Sequence, residues 1–396
     1  MPGKSEIDPF SFRDEFGPAK IVHIWSPSVE LRAVVVIDNV AAGPAIGGTR
    51  MAPDVSVTEC FRLARAMTLK NAACGLPHGG AKSVIFGDPD MAQADKERLI
   101  RVFAKSIEQL VDYIPGPDMG TDETAMAWVH DEIGRSVGLP AEIGGIPLDE
   151  IGATGFGVMI AACAAAPFAD VSLGGARIVV QGFGAVGIHA ARFLASKGAR
   201  MVGVSDSRGA VADEDGLDIE ALAALKRQGK SVGDLEHARA VDPESLIALP
   251  CEIFIPAARP DVLRADNVDM LNCKLVVQGA NIPATAEAER MMFARGIVSV
   301  PDFIANAGGV ICASIEYSGG GEAAAFAAIE EKIGRNTRLS LERSRAESVS
   351  PIDAAMELST DRLRKIIATE ALGLARPLDR HRGRFSAADA ERRHGH

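Results

Sequence analysis

Two lysines and one aspartate in the first third of the chain stand where proton and carbonyl chemistry could be done. Lys70 closes an amphipathic run in MTLKNA, and Lys82 follows Gly79-Gly80-Ala81 and opens the apolar run KSVIF. A lysine among glycines and apolar residues is poorly solvated, so its pKa should fall toward neutrality, the more so beside a second ammonium. Such a lysine can polarise a carbonyl or activate water. The plainer alternative is a surface lysine, and for Lys70 a cation that complements a helix C-terminus. Asp118, in Gly116-Pro117-Asp118-Met119-Gly120-Thr121, sits on a rigid loop between proline and glycine, which suits a proton carrier. An ordinary aspartate turn is the competing reading.

The elements that must position these groups alternate. Residues 33–37 (AVVVI) and 82–86 (KSVIF) read as strands. Ser56-Val57-Thr58-Glu59 has capping-box spacing and opens a helix reaching Lys70, with Cys60, Leu63, Ala64 and Met67 on one face. Helices follow near 94–111 and 122–136. From Ile151 the rhythm changes to a small-residue helix at 155–166, then a strand at 177–181. A helix to Lys197 that Gly198 ends and further strands at 201–205, 252–256 and 274–278 complete the pattern. Strands alternating with helices predict an α/β fold with a parallel, doubly wound sheet. Beyond Glu322 the chain reads as polar helix, and from Arg376 as a charged, frayed tail.

One glycine cluster has a phosphate-binding form. Gly182-Phe183-Gly184-Ala185-Val186-Gly187 is GxGxxG between a predicted strand and a predicted helix. The first glycine allows the tight turn, the second lets a pyrophosphate reach backbone N–H groups, and the third lets helix pack on strand. The helix N-terminus would then face the phosphates. About twenty residues on, the next strand ends at Asp206, where a ribose-binding acid is expected, followed by Ser207. Asp206 would accept from an adenine-ribose diol and repel a 2′-phosphate, which favours NAD; Arg208 could neutralise that phosphate and keeps NADP open.

Composition bounds the rest. The 396 residues suit two domains of roughly 100–200 residues each, and a hydrophobic fraction of 47% supplies two cores. A net charge of −11 argues against a nucleic-acid or anionic-membrane surface. Six cysteines without CxxC spacing predict neither a zinc site nor a disulfide framework, and no metal is expected. No apolar run reaches the length of a membrane span, and MPGKSEIDPFSF lacks a signal-peptide core, so a soluble, cytoplasmic protein is expected. The 40 glycines exceed the usual share of about 7% and gather next to apolar segments, as in loops where backbone approaches a ligand.

Together these motifs resemble the glutamate/leucine/phenylalanine/valine dehydrogenases, enzymes that interconvert L-amino acids and 2-oxo acids with NAD or NADP. The resemblance runs from about Ile21 to the helices after Asn306. It rests on GGTRM at 47–51, MTLKNA at 67–72, LPHGGAK at 76–82, GPDMGT at 116–121 and GATGFGV at 152–158. QGFGAVG, VSDS at 204–207, QGAN at 278–281 and NAGGV at 306–310 extend it. It implies that Lys70 binds the substrate α-carboxylate, that Lys82 polarises the carbonyl and activates water, and that Asp118 shuttles protons to and from the amino group. Gly47 and Gly48 would let backbone approach the substrate, with Asn306 in the same cleft. Thr154, Ala280 and Asn281 would lie at the nicotinamide end of the coenzyme. It further implies a substrate-binding and oligomerisation domain at 1–150 and a Rossmann NAD(P) domain at 151–325. Helices at 326–396 would pack back on the first domain, in a homo-hexamer or homo-octamer whose cleft closes to exclude water.

The sequence departs from the glutamate-specific pattern at two positions. A lysine that would pair with a side-chain carboxylate is replaced by Ile46, and a serine by Ala313. Burying a γ-carboxylate there without a partner would cost several kcal/mol. The expected substrate is therefore an amino acid with an apolar side chain, with glutamate as the alternative. A catalytically silent nucleotide-binding homologue is the reading from another class, and the presence of Lys70, Lys82 and Asp118 speaks against it. A hydroxy-acid dehydrogenase would need a histidine–carboxylate pair; only His78 has a comparable setting, and it reads as a polar lining residue.

Overall fold

Alternating β-branched residues, each side of the chain buried against a different layer, build the first sheet. The computed structural model describes residues 10–371; the charged stretch from Arg376 and the extreme N-terminus lie outside them. Two units are resolved: one comprises residues up to Thr68, Pro77–Gly145 and the chain from Leu363, the other Leu69–Leu76 and Ile146–Arg362.

The first unit holds β1 (Lys20–Ser26), β2 (Leu31–Asn39), β3 (Ala45–Ala52), most of α1 (Val57–Ala73), β4 (Gly80–Phe86), α2 (Gln93–Ser106), β5 (Tyr113–Pro117) and α3 (Glu123–Ile133). Its sheet has the order β1-β2-β4-β3-β5, antiparallel across β1-β2-β4 and parallel across β4-β3-β5. Ala33, Val35 and Ile37 face α2 and α3, packing with Ile100, Phe103 and Met126, while Val34, Val36 and Val84 pack on Cys60 and Ala64 of α1. The chain's two tryptophans, exposed Trp25 on β1 and partly buried Trp128 on α3, both belong to this unit. Strands β3 and β5 escape a propensity reading because AIGGTRMA and YIPGP carry the glycines and prolines that strands normally avoid. The helix expected at 122–136 stops at Ile133, where Gly134 turns left-handed at φ 66°.

The second unit contains α4 (Ala153–Ala165), β6 (Arg177–Gln181), α5 (Ala185–Ser196), β7 (Arg200–Ser205), β8 (Ala210–Ala212), α6 (Ile219–Arg227), β9 (Arg239–Val241), β10 (Ile253–Pro256) and β11 (Leu275–Val277). It continues through α7 (Ala286–Ala294), β12 (Val298–Val300), α8 (Asp302–Ala305), α9 (Gly308–Tyr317), α10 (Glu322–Glu347) and the start of α11 (Pro351–Ala371). The sheet order is β12-β11-β10-β6-β7-β8-β9, parallel from β12 to β7 and closed by the antiparallel pairs β7-β8 and β8-β9. This is the doubly wound, Rossmann-type sheet.

The C-terminal helices depart from expectation. Rather than returning to the first unit, α10 packs with α4, α8 and α9 inside the second, and only from Leu363, within α11, does the chain join the first. The reason is the small-residue face of α4: a side chain at Gly157 would come within 2.7 Å of Ile333 Cδ1, so α10 lies directly against it. Ala325, Ile329, Ile333 and Leu341 then enter the second unit's core.

Candidate active site

In the first unit the parallel register sets Ile46 beside Gly80 and Thr49 beside Ser83, and a Cβ at Gly48 would lie 2.9 Å from Lys82 Nζ. Residues two apart on a strand share a face, so Ile46, Gly48 and Arg50 lie on the face that carries Lys82. Lys82 is buried, with 7% of its side chain exposed, and its Nζ lies 2.9 Å from Asp118 Oδ2. The partner the ammonium meets here is a carboxylate. Asp118 also accepts from Arg50 Nε at 2.8 Å, while Arg50 Nη1 reaches Glu59 Oε1 at 2.6 Å. Burial pushes the Asp118 carboxyl up, but Lys82 first and Arg50 second outweigh it and hold it below the usual carboxylate range. Ser56 caps Glu59 N as the capping-box pattern predicts, and the Glu59 carboxylate is turned to Arg50.

A hydroxyl cluster fixes this face from behind. Tyr113, fully buried, donates to Gly47 O at 3.1 Å and lies 2.8 Å from Ser83 Oγ, which donates to Thr49 Oγ1 at 3.0 Å. Thr121 Oγ1 donates to Thr49 O at 2.7 Å and accepts from Asp118 N at 3.0 Å. Gly47 admits no side chain, since a Cβ would fall 1.6 Å from Ala81 O; at Gly48 it would meet Lys82 Nζ and Asp118 Cβ. His78 is buried with Nδ1 3.0 Å from Pro44 O, and burial lowers its pKa.

In the second unit Lys70, on the last turn of α1, donates to Asn306 Oδ1 at 2.7 Å and reaches Asn281 Oδ1 at 3.5 Å. Asn306 Nδ2 donates back to Ala280 O at 3.1 Å and Asn281 Oδ1 at 3.0 Å, lacing the 279–281 loop to the end of α8. Arg362 donates to Ala72 O and Ala73 O, closing the last turn of α1 just beyond Lys70. Thr154 opens α4 beside the start of α9: a Cβ at Gly309 would lie 3.4 Å from Thr154 Oγ1, and one at Gly308 2.0 Å from Ala153 O. Ala313, on α9, is 7% exposed.

The glycine loop fits a dinucleotide on its own geometry. Gly182 takes φ 99°, and a Cβ at Gly187 would fall 2.0 Å from Gly182 O, whereas one at Gly184 meets nothing within 4 Å. Gly184 starts α5 with no side-chain cap and no acid in the first turn, and the first N–H groups of a helix have no acceptor within the helix itself. Phe183 turns inward and is 1% exposed.

Asp206 is more engaged than a free ribose acceptor would be. Its oxygens take Lys226 Nζ at 2.7 Å, Ser231 Oγ at 2.9 Å, Val232 N at 3.0 Å, Arg208 N at 2.9 Å and Gly209 N at 3.1 Å. Burial would raise its pKa, but Lys226 and these donors hold it far below the usual range. Ser207 beside it is exposed. Arg50, Tyr113, Lys226 and Ser231 are partners that sequence reasoning left unassigned; Arg50 stands inside the GGTRM motif and could have been found there. Among the described residues no group of histidines, cysteines or carboxylates could hold a metal, and no helix is long and apolar enough to cross a membrane.

A Rossmann-type sheet with an open glycine loop, accompanied by a buried lysine–aspartate pair, defines a nicotinamide-dependent dehydrogenase. The family model for Glutamate/Leucine/Phenylalanine/Valine dehydrogenase matches residues 144–370, and that for the Glu/Leu/Phe/Val dehydrogenase dimerisation domain matches 27–135. The chain is 35% identical to the glutamate dehydrogenase of Aeropyrum pernix, over 82% of this chain and 83% of that one. It is 39% identical to the NADP(+)-dependent glutamate dehydrogenase of Pyrobaculum calidifontis, over 70% of each. Among solved structures it superposes on the hetero-hexameric glutamate dehydrogenase of Thermus thermophilus in its Leu-bound form, with TM-score 0.80, 29% identity and coverage of 89% and 90% of the two chains. The L-tryptophan dehydrogenase of Nostoc punctiforme gives TM-score 0.71 at 26% identity, covering 89% and 98%. The chain belongs to the glutamate/leucine/phenylalanine/valine dehydrogenase family. Its activity is the NAD(P)-dependent oxidative deamination of an L-amino acid to a 2-oxo acid and ammonium.

Proposed function

We propose that the substrate carries an apolar side chain of the leucine, valine or phenylalanine kind. The observation that carries this is Ile46 of β3, 3% exposed, two residues from Gly48 on the sheet face that bears Lys82 of β4. Apolar Ala313 on α9 points the same way. Glutamate is the second reading, favoured by the relatives from Aeropyrum and Pyrobaculum.

Residues 182–187 would hold the coenzyme at its pyrophosphate and Thr154, Ala280 and Asn281 at its other end, where the bound nicotinamide would supply a hydride acceptor. Lys70, steadied by Asn306, binds the α-carboxylate. Asp118, kept ionised by Lys82 and Arg50, takes the proton released by the substrate ammonium. As water adds to the iminium carbon and gives up a proton to solvent, the Lys82 ammonium donates to the new oxygen, and Asp118 returns its proton to the amine, which departs as the C=O bond forms. Both groups are largely buried, so their charges act with little screening by bulk water.

The coenzyme reading also gains a detail. Asp206, which would repel a 2′-phosphate, is neutralised by Lys226, so NADP is accepted beside NAD, in line with the NADP-dependent relative. The first unit is read as the substrate and assembly unit, the second as the coenzyme unit, in a homo-hexamer or homo-octamer. Six free cysteines fit a reducing cytoplasm. A panel of kcat/KM values for leucine, phenylalanine, tryptophan and glutamate tests the proposal: a marked preference for glutamate would sink the apolar assignment. Lys82→Met should abolish turnover while reduced coenzyme still binds; near-full activity would refute the mechanism.

A further inference from the structure

The loop assigned to the nicotinamide end is gripped from two sides, and the second grip ends on an acid with no part in the reaction above. Gln278, which opens the loop, is 2% exposed. Its Nε2 donates to Glu289 Oε1 and, at 3.0 Å, to Ser299 Oγ; its Oε1 accepts from Asp302 N at 3.2 Å. Asp302 Oδ2 in turn accepts from Ile282 N at 2.8 Å, at a residue held at φ 48°, a left-handed conformation a β-branched side chain rarely adopts. Glu289, on α7, is 3% exposed. A carboxyl group buried to that degree, accepting from the residue that opens the loop, needs an account beyond packing.

We propose that Glu289 is a positioning residue for coenzyme binding: as a carboxylate it accepts from Gln278 and, through Gln278 and Asp302, orients the backbone of 278–282, and its protonation loosens that hold. The acids that bear on its charge are Asp302, at the N-terminus of α8, and Asp353, on α11. A carboxylate accepts more strongly than a neutral carboxyl group, so loss of the Glu289 proton tightens the contact with Gln278 Nε2. Burial first, then these two acids, push the Glu289 carboxyl up to about 7, against the pull of Gln278 and Ser299. The switch consequently falls in the working range of pH.

The inference rests on the reading that 279–281 holds the nicotinamide end, and the experiment separates the two. Binding of reduced coenzyme to the full chain is followed by its fluorescence across neutral pH. The wild type should tighten by about fivefold as pH rises through neutrality, the scale of a modest coupling, and Glu289→Gln should bind with no such step. Ser299→Ala, which removes a donor that favours the ionised form, should move the step to higher pH. A flat wild-type profile, an unchanged step in Glu289→Gln, or an unmoved step in Ser299→Ala would overturn the proposal. Asn281→Ala should weaken binding at every pH; if it does not, the loop assignment itself fails, whatever Glu289 does.

Discussion

Gly48→Ala isolates the geometry of the lysine–aspartate pair. The new Cβ would stand 2.8 Å from Asp118 Cβ, 2.9 Å from Lys82 Nζ and 2.9 Å from Pro117 O. Carbon atoms settle at about 3.5–4.0 Å, so the site is short by about 0.7–1.2 Å on the Asp118 side. Pro117 O belongs to β5, which is locked in register with β3 through Gly48↔Gly116 and Thr49↔Pro117, and cannot retreat. Lys82 Nζ can swing away, but only by giving up its 2.9 Å contact with Asp118. Overpacking of this kind costs about 1–3 kcal/mol, a loss of several degrees in Tm at about 2–4 °C per kcal/mol. A displacement near 1 Å of reacting groups costs about 10²-fold in rate. We therefore expect kcat to fall by about 10²-fold while reduced coenzyme binds as before, because the substitution lies outside the second unit. Steady-state kinetics, coenzyme fluorescence and a thermal melt measure the three quantities. A Gly48→Ala enzyme with kcat within twofold or so of wild type would show that Lys82 and Asp118 need not keep this arrangement, and the mechanism would fall.

Gly184→Ala is the complementary case: its Cβ meets no protein atom, so Tm should hold while coenzyme KM rises severalfold, and an unchanged KM would remove the pyrophosphate from this loop. Lys226→Ala should lower kcat/KM for NADPH by about tenfold more than for NADH, since a partly buried charge-assisted contact is worth about 1.5–3 kcal/mol; equal losses would return Lys226 to a purely structural role. Ile46→Lys should raise activity toward dicarboxylic substrates relative to leucine, and no change in that ratio would show that residue 46 does not meet the side chain. Stability should also fall as pH rises from about 4.5 to about 7, because folding raises the Glu289 carboxyl and holds its proton; the shift corresponds to about 3 kcal/mol. Denaturant unfolding of Glu289→Gln should lack that component, and an identical slope in both proteins would contradict it.

What the sequence could reveal follows from how each feature is encoded. Strands rich in β-branched residues, such as β2 and β6, are legible because both faces are apolar. The segments AIGGTRMA and YIPGP are not, since their strand form comes from pairing with β4 and β3 and from Tyr113 tying Ser83 and Gly47. Lys82 and Asp118 can be singled out by their glycine and proline surroundings. Their contact spans 36 positions in sequence, and no local pattern reports that Arg50 joins it. Asp206 shows the limit most clearly: the end of a strand after GxGxxG marks its place, but the five donors around it include residues from 208 to 232 that no motif names. The return of α10 to α4 depends on Gly157 having no side chain, which reads in sequence only as one small residue among many.

The placement of both tryptophans in the first unit makes that unit optically separable. Tryptophan emission reports on β1 and α3 alone, whereas the second unit carries no indole and is silent at those wavelengths. A denaturation curve followed by tryptophan fluorescence thus tracks the Lys82–Asp118 unit, and the same curve followed by circular dichroism tracks both. Any gap between the two midpoints measures how independently the two units melt, with no label introduced into the protein.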